Sequence, residues 1–389
     1  MDYTNEPPHS SSLLTRDDKP YNAEPCVKEL VKYPITPEHL VYCRNHSPVK
    51  VFDEKGYKLT VDGEVEHPLT LTLEDIKKLP KRTVVAALQC AGNRRKALTI
   101  KSGRDVEGLK WEDAAICNAR WGGALLCDVL AMAGVLRPTT HNGTNAGTTH
   151  GANGICEGRM HVCFASHVAG ECQQDSCYGV SIPLEKALEA EDGAMLAYEM
   201  NDEPLTPDHG YPLRIVVPGY SGVRWVKWLD TIMVSRRESD NFYQQKDYKI
   251  LPTAVRTHEQ ADKEGWWAKL PALQSNPINS VIGEVLRRED GTLEVVGYAV
   301  SGAAGGQVKR VEVSANRGKT WGEAEITYQE GKWSWTLWRA TVPVAQEGAS
   351  DEERVVWCKA TDESGITQAP SMDWNLRGVG YNAYGEAHY

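Results

Sequence analysis

The apolar pattern of the chain changes near residues 250–275, where Trp266-Trp267, Pro271 and Pro277 interrupt it. Before this segment, stretches of helical and strand character alternate without a βαβ rhythm, which favours a mixed α+β domain over a doubly wound sheet. After it, stretches of strand length separated by turns occupy residues 293–300, 308–314, 333–340 and 354–360. This spacing predicts an immunoglobulin-like sandwich, here without paired cysteines because only Cys358 lies in the region.

A chain of 389 residues is longer than one hydrophobic core usually supports. We therefore predict an N-terminal arm over residues 1–35, an α+β domain over 36–265 and the sandwich over 266–389. The arm is rich in Pro, Ser, Asp and Glu, so we expect it to be disordered or draped over the surface. Residues 138–158 are rich in Thr, Asn, Gly and His, which indicates an irregular surface insertion.

The charge of the chain argues against nucleic acid and membranes as partners. A net charge of -10 provides no basic footprint for either surface. There is no apolar stretch long enough to span a bilayer, the first residues lack the features of a secretory signal, and Ala387-His388-Tyr389 is not a Ser-Lys-Leu type of peroxisomal address. We expect a soluble intracellular protein whose compartment the sequence does not specify. Ten thinly spread cysteines argue against a disulfide framework.

One short stretch has the features of a reactive site, namely Leu88-Gln89-Cys90-Ala91-Gly92-Asn93-Arg94-Arg95. Cys90 follows a predicted buried strand, enters a turn and precedes two arginines. Neighbouring cations lower the pKa of a cysteine, and the thiolate is both the nucleophile and the metal ligand. From these residues alone, an ordinary buried cysteine beside a solvated turn fits equally well.

Arginines recur at turn-like positions along the chain. Arginine presents a planar fork that suits oxyanions, so several of them in one pocket would hold a small dianion or a phosphorylated cofactor. Taken singly, each is better explained by a surface carboxylate partner. The arginines concerned are Arg44, Arg94, Arg95, Arg214, Arg224 and Arg377.

Taken together, these motifs resemble the molybdenum-cofactor domain and dimerisation domain of the sulfite oxidase family, and most closely its haem-free plant type. They occur in the family's order from about residue 20 to residue 380. The matching segments include Asn22-Ala23-Glu24-Pro25, Arg44-Asn45-His46, Leu88 to Arg95, Trp121-Gly122-Gly123-Ala124, Asp208-His209-Gly210-Tyr211-Pro212-Leu213-Arg214, Val226-Lys227-Trp228-Leu229, Gln245-Lys246-Asp247-Tyr248-Lys249 and Trp374-Asn375-Leu376-Arg377-Gly378-Val379.

The resemblance implies roles for individual residues. Cys90 is expected to bind the molybdenum of a single pyranopterin, because soft sulfur ligands suit a redox metal. The substrate pocket is expected to contain Arg44, Arg95, Trp111, Tyr248 and Arg377. The cofactor is expected to be held by His46, Asp128, His209, Arg214, Arg224 and Lys227, with the basic residues directed towards the pterin phosphate.

The implied reaction is oxidation of sulfite to sulfate by oxygen-atom transfer, in which the cofactor carries out the chemistry and the protein supplies positioning and charge. No His-Pro-Gly-Gly haem motif is seen before residue 36 and no flavin domain follows. The resemblance therefore implies a protein without haem or flavin that passes electrons to O2 and forms H2O2. A separate cytochrome is the alternative acceptor.

Assimilatory nitrate reductases share this domain and are the nearest alternative. By resemblance they generally have Asn where this chain has Tyr248 and Met where it has Arg377. Arg377 adds charge for a dianion, and the Tyr248 hydroxyl offers a donor to the oxygen that is transferred. Both residues favour sulfite; Lys96 is of the nitrate reductase type but lies beyond the pocket motif.

The sequence departs from the family pattern in two places. Residues 141–177 contain cysteines and histidines that the family does not require. Their uneven spacing favours free thiols over a structural zinc site, and they are Cys156, Cys163, Cys172, Cys177, His141, His150, His161 and His167. The chain also ends with Gly385-Glu386-Ala387-His388-Tyr389, with Tyr384 where relatives have Trp, which puts the last sandwich strand and the homodimer in question.

Two other classes of protein are compatible with parts of the sequence. A cysteine-rich metal or interaction protein would explain residues 141–177, and a cysteine hydrolase would explain Cys90. Neither explains the ordered motifs in the rest of the chain. Metal analysis separates the three, because they predict molybdenum, zinc and no metal respectively.

Overall fold

The computed structural model describes residues 1–135, 159–172, 174–302, 304–344 and 354–389. The whole predicted insertion, residues 138–158, lies outside these ranges, and His141, His150 and Cys156 lie within it. The mixed α+β region followed by an all-β sandwich is confirmed. No helix within the described ranges is long and apolar enough to cross a membrane.

The N-terminal segment, expected to be disordered or draped over the surface, contains regular structure in its second half. Strands β1 (Leu14–Asp18) and β2 (Tyr21–Glu24) form an antiparallel hairpin, and helix α1 (Val27–Leu30) follows. Glu24 is fully buried, and its carboxylate accepts hydrogen bonds from the backbone amides of Glu112 at 2.7 Å and Ala114 at 3.0 Å. These long-range contacts order a segment that is too short and polar to show periodicity.

Two five-stranded sheets form the mixed region. The first has the order β4-β3-β12-β7-β8, in which β12 runs parallel to β3 and the other pairs are antiparallel. Its strands are β3 (Lys58–Gly63), β4 (Leu69–Thr72), β7 (His161–Ser166), β8 (Tyr178–Pro183) and β12 (Thr231–Ser235).

The second sheet positions Cys90. Its order is β10-β9-β6-β5, and β11 also pairs with β9. Its strands are β5 (Lys81–Gln89), β6 (Ile116–Leu125), β9 (Met195–Met200), β10 (Glu203–Pro204) and β11 (Arg214–Val216). Strand β5 pairs with β6 along its whole length, from Lys81 opposite Ala124 to Gln89 opposite Ile116, so Cys90 lies at the end of a fully paired strand.

Short helices connect these strands. They are α2 (Leu73–Lys77), α3 (Arg95–Ser102), α4 (Leu126–Met132), α5 (Leu184–Ala187), α6 (His258–Lys263) and α7 (Trp266–Lys269). Short 3-10 turns cover Glu38–Leu40, Glu54–Gly56, Pro207–His209 and Gly222–Arg224, and a π-helix covers Tyr243–Asp247. Helix α5 is only four residues long, because Leu188 already caps it.

The sandwich consists of two four-stranded antiparallel sheets, ordered β13-β14-β18-β17 and β16-β15-β19-β20. The strands are β13 (Asn279–Arg287), β14 (Thr292–Val300), β15 (Val308–Ser314), β16 (Gly322–Glu323), β17 (Glu325–Gln329), β18 (Thr336–Pro343), β19 (Val355–Asp362) and β20 (Gly385–His388). The last strand is present, since β20 pairs with β19 from Val355 opposite His388 to Cys358 opposite Gly385. Tyr384, which stands where relatives are expected to have Trp, packs edge-on against Trp321, with ring centroids 5.3 Å apart.

Candidate active site

An open cavity of about 770 Å³, which includes space continuous with solvent, lies beside the end of β5. The predicted site residues that line it come from distant parts of the chain. They are Arg44, His46, Cys90, His209, Arg214, Lys227 and Tyr248. The fold therefore gathers seven of the twelve predicted positions around one cavity.

Cys90 is buried at the edge of this cavity, immediately after β5. Its amide donates to the Ala115 carbonyl at 2.9 Å, which continues the β5 pairing by one residue. Its Sγ accepts a hydrogen bond from the Gly92 amide at 3.4 Å. By contrast, burial raises the pKa of Cys117, on neighbouring β6, to about 12, as expected for a core thiol.

Arg95 lies next to Cys90 and is enclosed by backbone. Its Nη1 donates to the Leu109 carbonyl at 2.8 Å, and its Nε donates to the Arg377 carbonyl at 3.1 Å. A Cβ at Gly108 would lie 2.8 Å from Arg95 Nη1, so glycine there leaves room for the guanidinium. Burial lowers the pKa of Arg95 to about 10, while Cys90 acts in the opposite direction.

Arg44, His46 and Tyr248 form a chain of contacts along the cavity wall. Arg44 Nη2 lies 3.2 Å from His46 Nδ1, and His46 Nε2 lies 3.2 Å from the Tyr248 hydroxyl oxygen. Burial raises the pKa of Tyr248 to about 12. The hydroxyl therefore keeps its proton at neutral pH and can donate a hydrogen bond to an acceptor.

Arg377 approaches the same group of residues from the opposite end of the chain. Its Nη1 is 3.0 Å from Glu107 Oε2, its Nη2 pairs closely with the Asp247 carboxylate, and its Nε donates to the Asp247 carbonyl at 3.3 Å. Asp247 immediately precedes Tyr248, so a continuous network links Arg44 to Arg377. The sequence did not predict these two carboxylates, although Asp247 lies within a quoted motif.

Trp111 is fully buried beneath the cavity wall and contacts Tyr42 edge-on, with ring centroids 6.3 Å apart. Its indole Nε1 has no hydrogen-bond partner among the described residues. A buried donor without a partner is costly, so a ligand or water that accepts from it would stabilise the site.

A second basic region lies where the cavity meets β11. Arg214 donates to the carbonyls of His209 and Trp225, both at 3.0 Å, while its Nε has no partner among the described residues. Lys227 Nζ donates to the Asp208 carbonyl at 2.7 Å. Burial lowers the pKa of Arg214 to about 10 and that of Lys227 to about 8. Two buried cations held mainly by carbonyls fit an anionic, phosphate-bearing cofactor.

Two predicted cofactor residues are not among the described residues that line the cavity. Asp128 lies in the first turn of α4. Arg224 is fully buried, but its Nη2 and Nε donate to the Leu273 carbonyl at 2.7 and 3.1 Å and its Nη1 pairs with Gln244. The local backbone already satisfies its guanidinium.

Several residues that line the cavity were missed by the sequence analysis, among them Asn45, Ser47, Cys172, Tyr178 and Asp208. Asn45 and Asp208 lie within quoted motifs, whereas Tyr178 had no sequence signal. Cys172 belongs to the cysteine-rich stretch, and burial raises its pKa to about 12. Among the described residues, no group of three or more His, Cys, Asp or Glu could hold a metal ion.

Comparison with known proteins gives two family matches. An oxidoreductase molybdopterin binding domain matches residues 46–243, and a Mo-co oxidoreductase dimerisation domain matches residues 271–388. Sulfite oxidase of Arabidopsis thaliana is 40% identical over 97% of this chain and 94% of the relative. Human mitochondrial sulfite oxidase is 37% identical over 99% of this chain and 67% of the relative.

Two other proteins are similar along nearly the whole of this chain. An NADH nitrate reductase of Ulva prolifera is 35% identical over 97% of this chain, which covers 43% of that protein. The crystal structure of the sulfane dehydrogenase SoxCD from Paracoccus pantotrophus superposes with a TM-score of 0.72 at 26% identity, over 97% of this chain and 86% of the other. As its motifs predict, the chain belongs to the sulfite oxidase family of molybdopterin oxidoreductases.

Proposed function

We propose that this protein oxidises sulfite to sulfate at a molybdenum–pyranopterin cofactor. The observation that carries the proposal is a network in which Arg44 and Tyr248 line the cavity beside Cys90, while Arg377 is joined to them through Asp247 and its carbonyl accepts a hydrogen bond from Arg95. A cluster of arginines with a protonated phenol suits a small oxyanion with two negative charges. Relatives named as sulfite oxidases, similar along nearly the whole chain, support the same substrate.

We infer that Cys90 supplies the protein ligand to molybdenum. Its sulfur lies at the cavity edge, immediately after β5, where the hydrogen bond from its amide to Ala115 continues the strand pairing. When bound, the cofactor would supply oxygen-atom transfer and accept two electrons. His46, His209, Arg214 and Lys227 would hold the cofactor, with the two buried cations placed to contact its phosphate.

The substrate residues would act by charge and orientation. Arg44, Arg95 and Arg377 would bind the oxygens of sulfite and release sulfate as the charge distribution changes. The Tyr248 hydroxyl would donate a hydrogen bond to an oxygen of the substrate. Trp111 is not among the described residues that line the cavity and would act by packing against Tyr42, which does line it. None of these groups needs to change protonation state.

Two further assignments extend the proposal. We propose O2 as the electron acceptor, with H2O2 as its product, as the sequence resemblance to the plant type of the family implies. A separate cytochrome is the alternative acceptor. We also propose a homodimer formed through the sandwich, which matches a dimerisation domain.

An assay of the purified, molybdenum-containing protein with sulfite and with nitrate tests the function. We expect sulfite-dependent O2 uptake with one H2O2 formed for each sulfite consumed, and no comparable reduction of nitrate. Turnover of sulfite with a dye acceptor but not with O2 would favour a separate cytochrome. Efficient nitrate reduction without sulfite oxidation would overturn the proposal.

A further inference from the structure

We propose that Glu107, oriented by His258, sets how tightly the arginine cluster (Arg44, Arg95 and Arg377) holds a dianion. The inference rests on the proposed oxidation of sulfite, because it assigns a specificity-determining pair to that site. Neither residue was predicted to belong to the site, and neither is needed to build the cavity. Their connection to the site runs through Arg377.

Glu107 is joined to the Arg377 segment by two independent contacts. Its carboxylate Oε2 is 3.0 Å from Arg377 Nη1, and its amide donates to the Leu376 carbonyl at 2.9 Å. The backbone contact fixes the position of the carboxylate relative to the guanidinium. The Glu107 side chain is 40% exposed and that of Arg377 is 15% exposed, so the pair lies at the rim between the cluster and solvent.

His258 holds the other side of the same oxygen. Its Nε2 is 2.5 Å from Glu107 Oε2, so the imidazole donates to the atom that also pairs with Arg377. Its position is fixed twice, because His258 is the first residue of α6 and its ring stacks on Trp267 at a centroid distance of 5.4 Å. His258 and Arg377 therefore compete for one carboxylate oxygen.

The contact between Glu107 and Arg377 changes the net charge around the Arg377 guanidinium. Asp247, which is nearly buried, already pairs with Arg377, so Glu107 is the second carboxylate on one guanidinium. Each carboxylate offsets positive charge that would otherwise act on the bound anion. Glu107 thus lowers the affinity of the arginine cluster for sulfite and for the product sulfate. His258 limits this effect, because it donates a hydrogen bond to the carboxylate oxygen that pairs with Arg377.

A purely structural ion pair predicts a different result. Exposed ion pairs contribute little to stability, and damage to the arrangement of Arg377 would weaken anion binding. If the Glu107 carboxylate offsets the positive charge of the arginine cluster, neutralising it would instead strengthen the binding of the anion. The sign of the change in affinity therefore separates the two roles.

The test uses Glu107→Gln and His258→Phe in the molybdenum-loaded protein. Glutamine keeps an acceptor for Arg377 without the charge, and phenylalanine keeps a ring on Trp267 without the donor. We expect Glu107→Gln to lower the KM for sulfite and the inhibition constant of sulfate about threefold or more, because screening at a half-exposed site limits the effect. We expect His258→Phe to raise both about twofold, because Glu107 then pairs more fully with Arg377.

A double variant and a control complete the design. In the Glu107→Gln background, His258→Phe should have no further effect, because His258 acts through Glu107. Asp105→Asn, which removes a neighbouring carboxylate paired with Lys110, should leave both constants unchanged. An unchanged or raised sulfite KM in Glu107→Gln overturns the role of Glu107. Additive effects in the double variant overturn that of His258.

Calorimetric titration of the same proteins with sulfate separates this inference from the proposed function. If the wild-type protein does not oxidise sulfite, the proposed function fails, and the Kd values for sulfate still decide the role of the pair. If it oxidises sulfite but the variants bind sulfate and sulfite as the wild type does, the inference fails and the function stands.

Discussion

Arg94 and Arg95 are neighbours in the sequence, yet their guanidinium groups are held in different parts of the molecule. Arg94 has the left-handed φ of 65° and donates to Asn279 Oδ1 at 2.8 Å and to the Ala383 carbonyl at 2.7 Å. It thereby ties the turn after Cys90 to the sandwich. Arg95 turns towards Cys90 and the Arg377 backbone. The sequence assigned a role only to Arg95, because Asn279 and Ala383, the partners of Arg94 in the sandwich region, are more than 180 residues away.

Lys227 gives the cofactor pocket a pH dependence. Burial lowers its pKa to about 8, so its charge is present below that pH and is lost above it. We expect sulfate, whose charge is constant in this range, to bind the cofactor-free protein more weakly at pH 9 than at pH 7, by several-fold. In Lys227→Arg the guanidinium stays charged and the decrease should largely disappear. Isothermal titration measures the sulfate affinity of the wild type and of Lys227→Arg at each pH.

Lys246→Arg, which changes an exposed lysine paired with Asp262, should keep the wild-type pH dependence. An equal decrease in affinity in Lys227→Arg would show that another group titrates.

Replacement of Arg377 should affect binding more than chemistry. Arg377→Met removes a charged donor and leaves the nearly buried carboxylate of Asp247 without its ion pair beside the substrate. Loss of a charge-assisted hydrogen bond costs about 1.5–3 kcal/mol, so we expect the sulfite KM to rise roughly tenfold to a hundredfold with a smaller change in kcat. Steady-state O2 uptake measures both constants.

The matched control is Arg288→Met, an exposed sandwich arginine paired with Glu294, which should leave both constants as in the wild type. A sulfite KM that stays at the wild-type value in Arg377→Met would remove Arg377 from the substrate pocket.

At the level of elements, regular strands were predictable and local irregularities were not. The buried strand predicted before Cys90 is β5, because a short apolar run determines it. The π-helix Tyr243–Asp247, which ends beside Tyr248, has no sequence signature. π-Helical turns are often found at functional sites, and this one places Asp247 and Tyr248 on the same wall.

The buried carboxylate of Glu24 connects the β1–β2 hairpin to the rest of the protein, so replacing Glu24 tests how much the hairpin contributes to stability. Glu24→Ala would leave two backbone amides without their acceptor and Arg16 with only Glu112 as an ion-pair partner. Because each buried donor left unsatisfied costs about 1–3 kcal/mol, we expect a loss of about 3 kcal/mol. In a chain of 389 residues this corresponds to a decrease in Tm of about 4 °C. Thermal unfolding followed by circular dichroism measures it.

Asp18→Ala, at an exposed position of the same hairpin, should change the Tm by less than about 1 °C. Equal Tm values for Glu24→Ala and wild type would mean that the hairpin does not contribute to the stability of the fold.

At the scale of the whole molecule, the site is assembled from residues that lie far apart in the chain. The segment that carries Arg377 lies between β19 and β20 of the sandwich and returns to contact the mixed region through Arg95 and Asp247. The motifs named the residues expected at the site, and seven of the twelve line the cavity, but they could not show that two carboxylates pair with Arg377. The division at residues 265/266 stays a prediction, since the segment 250–275 packs against elements on both sides.

The central claim is that Cys90 is the molybdenum ligand of a sulfite-oxidising site. The most direct test is sulfite-dependent O2 uptake by Cys90→Ser beside Cys127→Ser, which changes a half-buried free cysteine on α4. We predict that Cys90→Ser has no measurable uptake while its circular dichroism matches that of the wild type, and that Cys127→Ser retains full activity. Sulfite turnover by Cys90→Ser at a rate close to that of the wild type would contradict the claim.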